Sequence, residues 1–405
     1  MKTTSARGDV AESSPQRIVT SLVLLWLAGA GLRLTILAVP PIIPLIHVDL
    51  NLSETEVGIL SGLPLTLFAF AAVLGSLLIA SIGAVRTLVS GLLIAAVASA
   101  LRGAVLNVAV LYAMTIIMGF GVAIMQPALP PIVRAWAPHR IGFGTAVYTN
   151  GLIAGEILPV ALTIPFVLPL VDGSWRLDLV VWAVPVAIIG LAIIAFAPRG
   201  SNSGRSASLE AQRWWPDWKN ALVWQPGLMF GMGTSIYFGA NAFVPDYLSN
   251  GHSDLISSTL TALNVGQIPA SLLLLAVAGQ LERKSWPYVL CGLLSFLAVV
   301  GIVAASGILV VLCAGLLGFA SAGTLILVLA LPPLLGRADD VHRISAAMLT
   351  IAYACAVIIP IISGLAWDLT GIAGAAFVPI GACALILIAL ASTVRLDREP
   401  LGAPS

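Results

Sequence analysis

Residues 18–45 read IVTSLVLLWLAGAGLRLTILAVPPIIPL. The run is long enough to cross the roughly 30 Å hydrocarbon core of a bilayer. Its one charge, Arg33, lies close to its centre. A guanidinium does not lose its proton, and holding one at mid-membrane depth costs about 3 kcal/mol or more. A helix carries such a residue where it faces protein or a water-filled cavity. The stretch therefore says two things: the chain spans a membrane, and a polar site lies near the midplane.

Outward from this run the composition agrees. Of 405 residues, 59% are hydrophobic and 9% charged, with a mean hydropathy of +1.05. Soluble domains carry about 25% charge. Apolar runs recur along the chain and give twelve expected spans, at 18–46, 56–82, 86–105, 108–133, 141–170, 177–197, 219–248, 255–280, 286–305, 308–335, 342–367 and 373–395. The first run is too long for a cleaved signal peptide and counts as the first span. The longest polar segment, Pro198–Asp217 (PRGSNSGRSASLEAQRWWPD), divides the spans into two sets of six. The expected layout is a tail (1–17), a first bundle (18–197), a linker (198–218), a second bundle (219–395) and a second tail (396–405). Trp214, Trp215 and Trp218 suit an interfacial anchor ahead of the seventh span.

Charge sets orientation. Sixteen of the nineteen Lys and Arg fall on one side, leaving Arg102 and Arg176 near the other and Arg33 within. The opposite loops hold Asp49, Glu54, Glu56, Asp172, Asp178, Asp254 and Asp368. The positive-inside rule then puts both termini and the linker in the cytoplasm, in an inner (cytoplasmic) membrane.

The halves repeat. Val39-Pro40 recurs as Val244-Pro245 and Leu63-Pro64 as Ile268-Pro269, both 205 residues on. Ala128-Leu-Pro-Pro131 recurs as Ala330-Leu-Pro-Pro333, each followed by His-Arg-Ile. Two six-helix sets repeating in the same orientation match transporters that rock two bundles about a central site. The expected fold class is an all-α integral membrane protein of twelve transmembrane helices in two six-helix bundles.

The stretches LRLTILAVPPIIPLIHVDLNLSETEVGILSGLP (32–64) and LPPIVRAWAPHRIGFGTAVYTNGLIAGE (129–156) resemble the major facilitator superfamily, and within it the cyanate-porter group of cyanate and 2-nitroimidazole transporters. The superfamily's loop between the second and third helices, G-x-x-x-D-R-x-G-R-R, is not kept. Ser76–Val85 (SLLIASIGAV) retains only Gly83, with Arg86 after it, and Ala80 and Ser81 replace the charged pair. The resemblance implies a monomer in the lipid bilayer, carrying a small-molecule substrate through a cavity bordered by the first and fifth helices.

Several residues carry candidate chemistry. Arg33 offers a fork of donors matched to a planar anion; the competing reading is an ion pair that only holds helices together. Glu156 reads as the acid deep within a span, at a depth similar to Arg33, on a face with Thr145, Tyr148, Thr149 and Leu152. By the resemblance the two approach each other. Three roles for Glu156 stay open: it neutralises Arg33 between cycles, it takes up a proton and couples transport to the proton gradient, or it forms a permanent structural pair. Gly151 and Gly155 form a small-xxx-small pair, read as packing.

The second half is expected to hold no buried charge and offers amides and hydroxyls instead. Thr234, Tyr237 and Asn241 form one stripe, and Thr261, Asn264, Gln267 and Ser271 another. Such residues contact substrate or glue helices together. Gln126, Asn150 and Tyr353 are weaker candidates. Arg102 reads as a residue snorkelling at the outer interface, and the outer acids as solvated loop charges.

Other classes lack their signatures. Cys291, Cys313, Cys355 and Cys383 stand singly, so neither disulfide nor metal is indicated. There is no GxxxxGK[ST] loop, HExxH or nucleophile elbow. The four histidines (His47, His139, His252, His342) fall at loop edges. No cofactor and no nucleic-acid partner are called for. The expected function is secondary active transport of a small polar, anionic solute by alternating access. The alternatives are a multidrug or metabolite exporter and, from another class, an integral-membrane enzyme, which should show paired acids or a reactive histidine.

Overall fold

A chain in hydrocarbon must satisfy its backbone polar groups internally, and the computed structural model does so almost wholly as helix. It describes residues 15–104, 107–137, 141–198, 218, 221–249, 251–281, 284–329, 331 and 341–393. The tails before residue 15 and after 393 lie outside the described residues. So do nearly all of the linker, with Trp214 and Trp215, and most of the residues that set the charge bias. Among the described residues, nine helical stretches are long and apolar enough to cross a membrane. The expected spans 56–82, 219–248 and 255–280 also coincide with helices: Glu54–Ile82, Ala221–Ser249, and the pair Ile256–Val265 and Gln267–Leu281.

One interruption shapes the centre. The first helix runs Pro15–Gly31, turns at Leu32 and Arg33, resumes briefly over Leu34–Leu37, tightens into a 3-10 turn over Pro40–Ile42, and continues as Ile43–Leu50. Pro40 and Pro41 have no N–H to give. The Val39 N–H bonds the Ile36 carbonyl, three residues back. The Thr35 carbonyl instead accepts from Arg102 Nη2 at 2.9 Å. Arg102 also donates to Ser99 Oγ at 2.8 Å and is 1% exposed. It does not snorkel; it is tied inside to a carbonyl beside the helix break. Between Ile256–Val265 and Gln267–Leu281, Gly266 keeps helical dihedrals (φ −56°, ψ −20°), and its N–H bonds the Ala262 carbonyl four residues back at 2.8 Å. Here any side chain would overlap the Gly315 carbonyl.

The repeat is not copied in detail. Pro245 matches Pro40 in sequence, yet the helix Ala221–Ser249 runs unbroken through Pro226 and Pro245.

Close contacts fix the rest. A Cβ at Gly151 would collide with the Trp26 carbonyl, and one at Gly155 with the Ala30 carbonyl. The first helix and Ile141–Leu162 therefore touch backbone to backbone, as the small-xxx-small reading anticipates. Gly155→Leu should separate them at a cost of about 1–3 kcal/mol, seen as a lowered thermal midpoint of the purified protein. The same midpoint as the parent would contradict this packing. Helix Val341–Thr370 lies against both Ala221–Ser249 and Glu54–Ile82, joining the second half of the chain to the first.

At the end that the charge bias assigns to the outside, the halves are also tied by polar contacts. Asp368 accepts from the Glu54 and Thr55 N–H groups, each at 2.9 Å, and from Thr55 Oγ1 at 2.5 Å. His47 Nδ1 lies 2.5 Å from Asp246 Oδ2. Solvated loop charge is therefore the wrong description for some of these acids. Glu54 is 7% exposed and Asp178 is fully buried. Asp246, 5% exposed near the end of the seventh-span helix, shows that the second half does bury a charge. These partners stand about 200 residues or more apart in sequence, so no local pattern announces them.

Candidate functional site

The break in the first helix creates the site. Arg33 caps the short helix Leu34–Leu37 with φ −116° and ψ −26°. Its side chain extends to the helix Ile141–Leu162, where Nε lies 3.2 Å from Glu156 Oε1. The side chains are only 13% and 5% exposed. Close approach of the two helices at Gly151 and Gly155 is what brings the charges together.

From Glu156 a polar chain crosses to the second half. Glu156 Oε2 accepts from Gln267 Nε2 at 3.0 Å, and the same amide lies 3.3 Å from Tyr237 Oη. Tyr237 donates to Asn264 Oδ1 at 2.6 Å. Asn264 donates to Asn241 Oδ1 at 3.2 Å and to the Leu260 carbonyl at 2.8 Å. Asn241 in turn donates to the Tyr237 carbonyl at 3.0 Å. Asn264 and Gln267, three residues apart, share a helix face, and both reach Tyr237 from it.

The chain borders a small cavity lined by Arg33, Glu156, Thr234, Tyr237, Gln267, Ser321 and Tyr353, with Phe230, Phe238 and Leu325 as apolar wall. Beside it Phe68 faces the guanidinium, 5.9 Å from ring centre to Cζ, at the limit of a cation–π contact. Phe68 also packs on Tyr353 with ring centres 4.9 Å apart.

The guanidinium is not saturated. Arg33 Nε and Nη1 are buried without a hydrogen-bond partner. Glu156 neutralises the charge at ion-pair distance from Nε and Tyr353 also bonds the guanidinium, yet Nη1 is left without a partner, and a guanidinium has five N–H groups to place. A buried cation in that state can accept a ligand with planar, anionic oxygens.

Of the seven residues expected to bind substrate, Arg33, Tyr237, Gln267 and Tyr353 line this cavity. Asn264 joins through Tyr237. Asn241 borders a smaller neighbouring space shared with Arg102 and Pro64. Tyr148 is not brought in; it packs against the core. It precedes Glu156 by eight residues, about 12 Å along a helix axis, so a shared face does not put both at one depth. Among the weaker candidates, Asn150 is occupied by Trp26 Nε1 at 2.9 Å. Two residues that sequence reasoning missed are Phe68 and Ser321, whose buried Oγ has no partner. The small-residue run Gly318-Phe-Ala-Ser-Ala-Gly-Thr324, set in a bulky apolar span, was the available signal for Ser321.

Known proteins are similar to this chain in sequence and in fold. The chain is 27% identical over 256 residues to the 2-nitroimidazole transporter of Escherichia coli (strain K12), covering 62% of this chain and 63% of that one. It is 25% identical over 267 residues to the cyanate transport protein CynX of the same organism, covering 65% and 68%. The chain thus spans about two thirds of the length of these relatives. The crystal structure of the nucleoside transporter NupG superposes with a TM-score of 0.72 at 14% identity, over 93% of this chain and 97% of that one. Residues 25–259 match the model of the Major Facilitator Superfamily. The fold, the relatives and that match agree: this chain is a membrane transporter that belongs to the Major Facilitator Superfamily.

Proposed function

We propose that the chain is a secondary active transporter that moves a small polar, anionic solute across the cytoplasmic membrane by alternating access, with Arg33 as its anchor. The observation that carries this reading is the buried guanidinium with unfilled donors at the wall of a cavity that both halves line. In the empty protein Glu156 neutralises Arg33, and Gln267 holds Glu156 from the other half. An incoming anion takes the free edge of Arg33 and weakens its hold on Glu156. Tyr237, Gln267 and Tyr353, with Asn264 behind Tyr237, complete the contacts from the second half.

A ligand gripped from both halves favours the states in which they close on it, which is the condition for a ligand to drive the exchange of access. The carboxylate released from Arg33 is the group that takes up a proton, which makes the cycle a symport. Rocking is between bundles 18–197 and 219–395 of a monomer whose termini face the cytoplasm. The relatives named for cyanate and 2-nitroimidazole support a small, flat, polar cargo, and the aromatic wall of Phe68, Phe230 and Phe238 suits one.

The test is uptake by the purified protein in liposomes, over a panel of small labelled anions and neutral analogues, with and without a pH gradient. Saturable uptake of anions, enhanced by an inward proton gradient, is the expected result. Uptake confined to lipophilic neutral compounds would replace the reading with that of a drug exporter.

A further inference from the structure

Away from the central cavity, three side chains meet where the halves are tied at the outer end. His47 lies in the last turn of the helix Ile43–Leu50, Glu54 begins Glu54–Ile82, and Asp246 lies near the end of Ala221–Ser249. A tight turn, with Asn51 left-handed at φ 50° and Ser53 capping the next helix, folds Glu54 back toward His47. His47 Nδ1 is 2.5 Å from Asp246 Oδ2 and 3.9 Å from Glu54 Oε1. One donor atom from each of the three lies within 4.8 Å of the others.

The charge here is out of balance. Glu54, Asp246 and the adjoining Asp368 face one imidazole. Asp368 is satisfied by two backbone N–H groups and a hydroxyl. Glu54 is not: its Oε2 is buried without a donor, although the residue is 7% exposed, and the neighbour within its reach is another carboxyl group, that of Asp246. The short His47–Asp246 contact leaves that oxygen unmet. A cation placed among the three would serve all of them, and His47, 26% exposed along its side chain, leaves an approach from outside.

We propose that His47, Glu54 and Asp246 bind a divalent transition-metal ion of the zinc class, and that the ion fastens the two halves together at the outer end. One imidazole nitrogen and two carboxylate oxygens are each zinc ligand types, and a water in the fourth position completes four-coordination. Calcium takes six to eight oxygens and finds too few here, and the imidazole nitrogen favours zinc-class metals over magnesium, which prefers oxygen ligands alone. Donors around a tetrahedral zinc stand about 3.3–3.5 Å apart. The His47–Asp246 pair must therefore open by about 1 Å and the longer separations close by about as much, within reach of side-chain rotation. His47 and Glu54 belong to the first half and Asp246 to the second. The ion binds only when the outer end is closed, so it stabilises that state by its own binding free energy. Zinc on the outer side would then arrest the transport cycle. No local sequence pattern points to this site, because the third ligand is 199 residues from the first.

The test uses the full chain in detergent, its affinity tag removed and metals chelated, titrated with zinc chloride by calorimetry. One ion per chain should bind with a Kd on the order of 10 μM, raising the thermal midpoint. His47→Gln and Asp246→Asn should each weaken binding at least about tenfold, and magnesium chloride should not compete. X-ray absorption at the zinc edge of the parent should show nitrogen and oxygen neighbours, which needs no variant to fold. No saturable binding below about 1 mM, a sulfur shell, or parent-like binding by either variant would overturn the proposal. Loss with His47→Gln but not Asp246→Asn would likewise overturn it, since the ion would then not join the halves.

Discussion

Glu156→Leu in an otherwise unchanged chain is expected to lower stability by about 3–5 kcal/mol, the usual consequence of leaving one member of a buried ion pair without its partner. Arg33 sits 3.2 Å from Glu156 Oε1, and no water replaces a carboxylate at that depth without cost. Gln267 would lose its acceptor as well. The double variant Arg33→Met/Glu156→Leu removes both charges and keeps apolar volume, so it should recover most of the loss, because well-packed apolar replacements of buried pairs are often neutral. Thermal unfolding of the parent, the double variant and the two single variants in detergent forms a double-mutant cycle. If the double variant is no more stable than Glu156→Leu, the two side chains do not act as a pair. Recovered stability without recovered transport would separate the structural role of the pair from its role in the cycle.

The second large effect falls on transport. Arg33→Ala should lower anion uptake by about 100-fold or more, because two hydrogen bonds to a charged group are worth about 1.5–3 kcal/mol each. Arg33→Lys keeps the charge and loses the planar fork, so it should fall between Ala and the parent. Initial uptake rates in proteoliposomes, normalised to protein inserted, measure both. Parent-like uptake by Arg33→Ala would remove Arg33 from the site. Equal rates for Lys and parent would show that a point charge suffices and that the fork geometry is not used.

Some residues of the site were legible in the sequence and others were not. Arg33 and Glu156 were legible because a charge in an apolar run has few physical excuses, and their depths agreed. Tyr237, Asn264 and Gln267 were legible as polar stripes on apolar helices, and the spacing of three that puts Asn264 and Gln267 on one face is what lets both reach Tyr237. Tyr148 lies away from this cavity, because helical spacing fixes a face and not a depth. Arg102 failed because its acceptor, the Thr35 carbonyl, is made available by an irregular turn in a different helix. The outer acids failed for a similar reason. Hydropathy marks the ends of spans as loops, whereas Glu54, Asp246 and Asp368 find their neighbours in distant parts of the chain. Ser321, a lone hydroxyl among small residues, carries no periodic signal at all.

Ser76–Val85 lacks the charged pair of the superfamily's loop, and the opposite end of the molecule carries polar ties of its own. His47–Asp246 and Asp368–Thr55 join the two halves there. Alternating access needs such ties to break in each cycle, and a handful of contacts between partly exposed groups suits that demand.

The central claim is that a transported anion binds to the unfilled edge of Arg33. It is tested most directly by equilibrium binding of the anion found in the uptake panel to purified protein, by calorimetry, in parent, Arg33→Lys and the stability-restored Arg33→Met/Glu156→Leu. The predicted result is saturable binding by the parent, weaker binding by Arg33→Lys, and none by the double variant despite its intact fold. Binding of the anion by the folded double variant with parent affinity would contradict it.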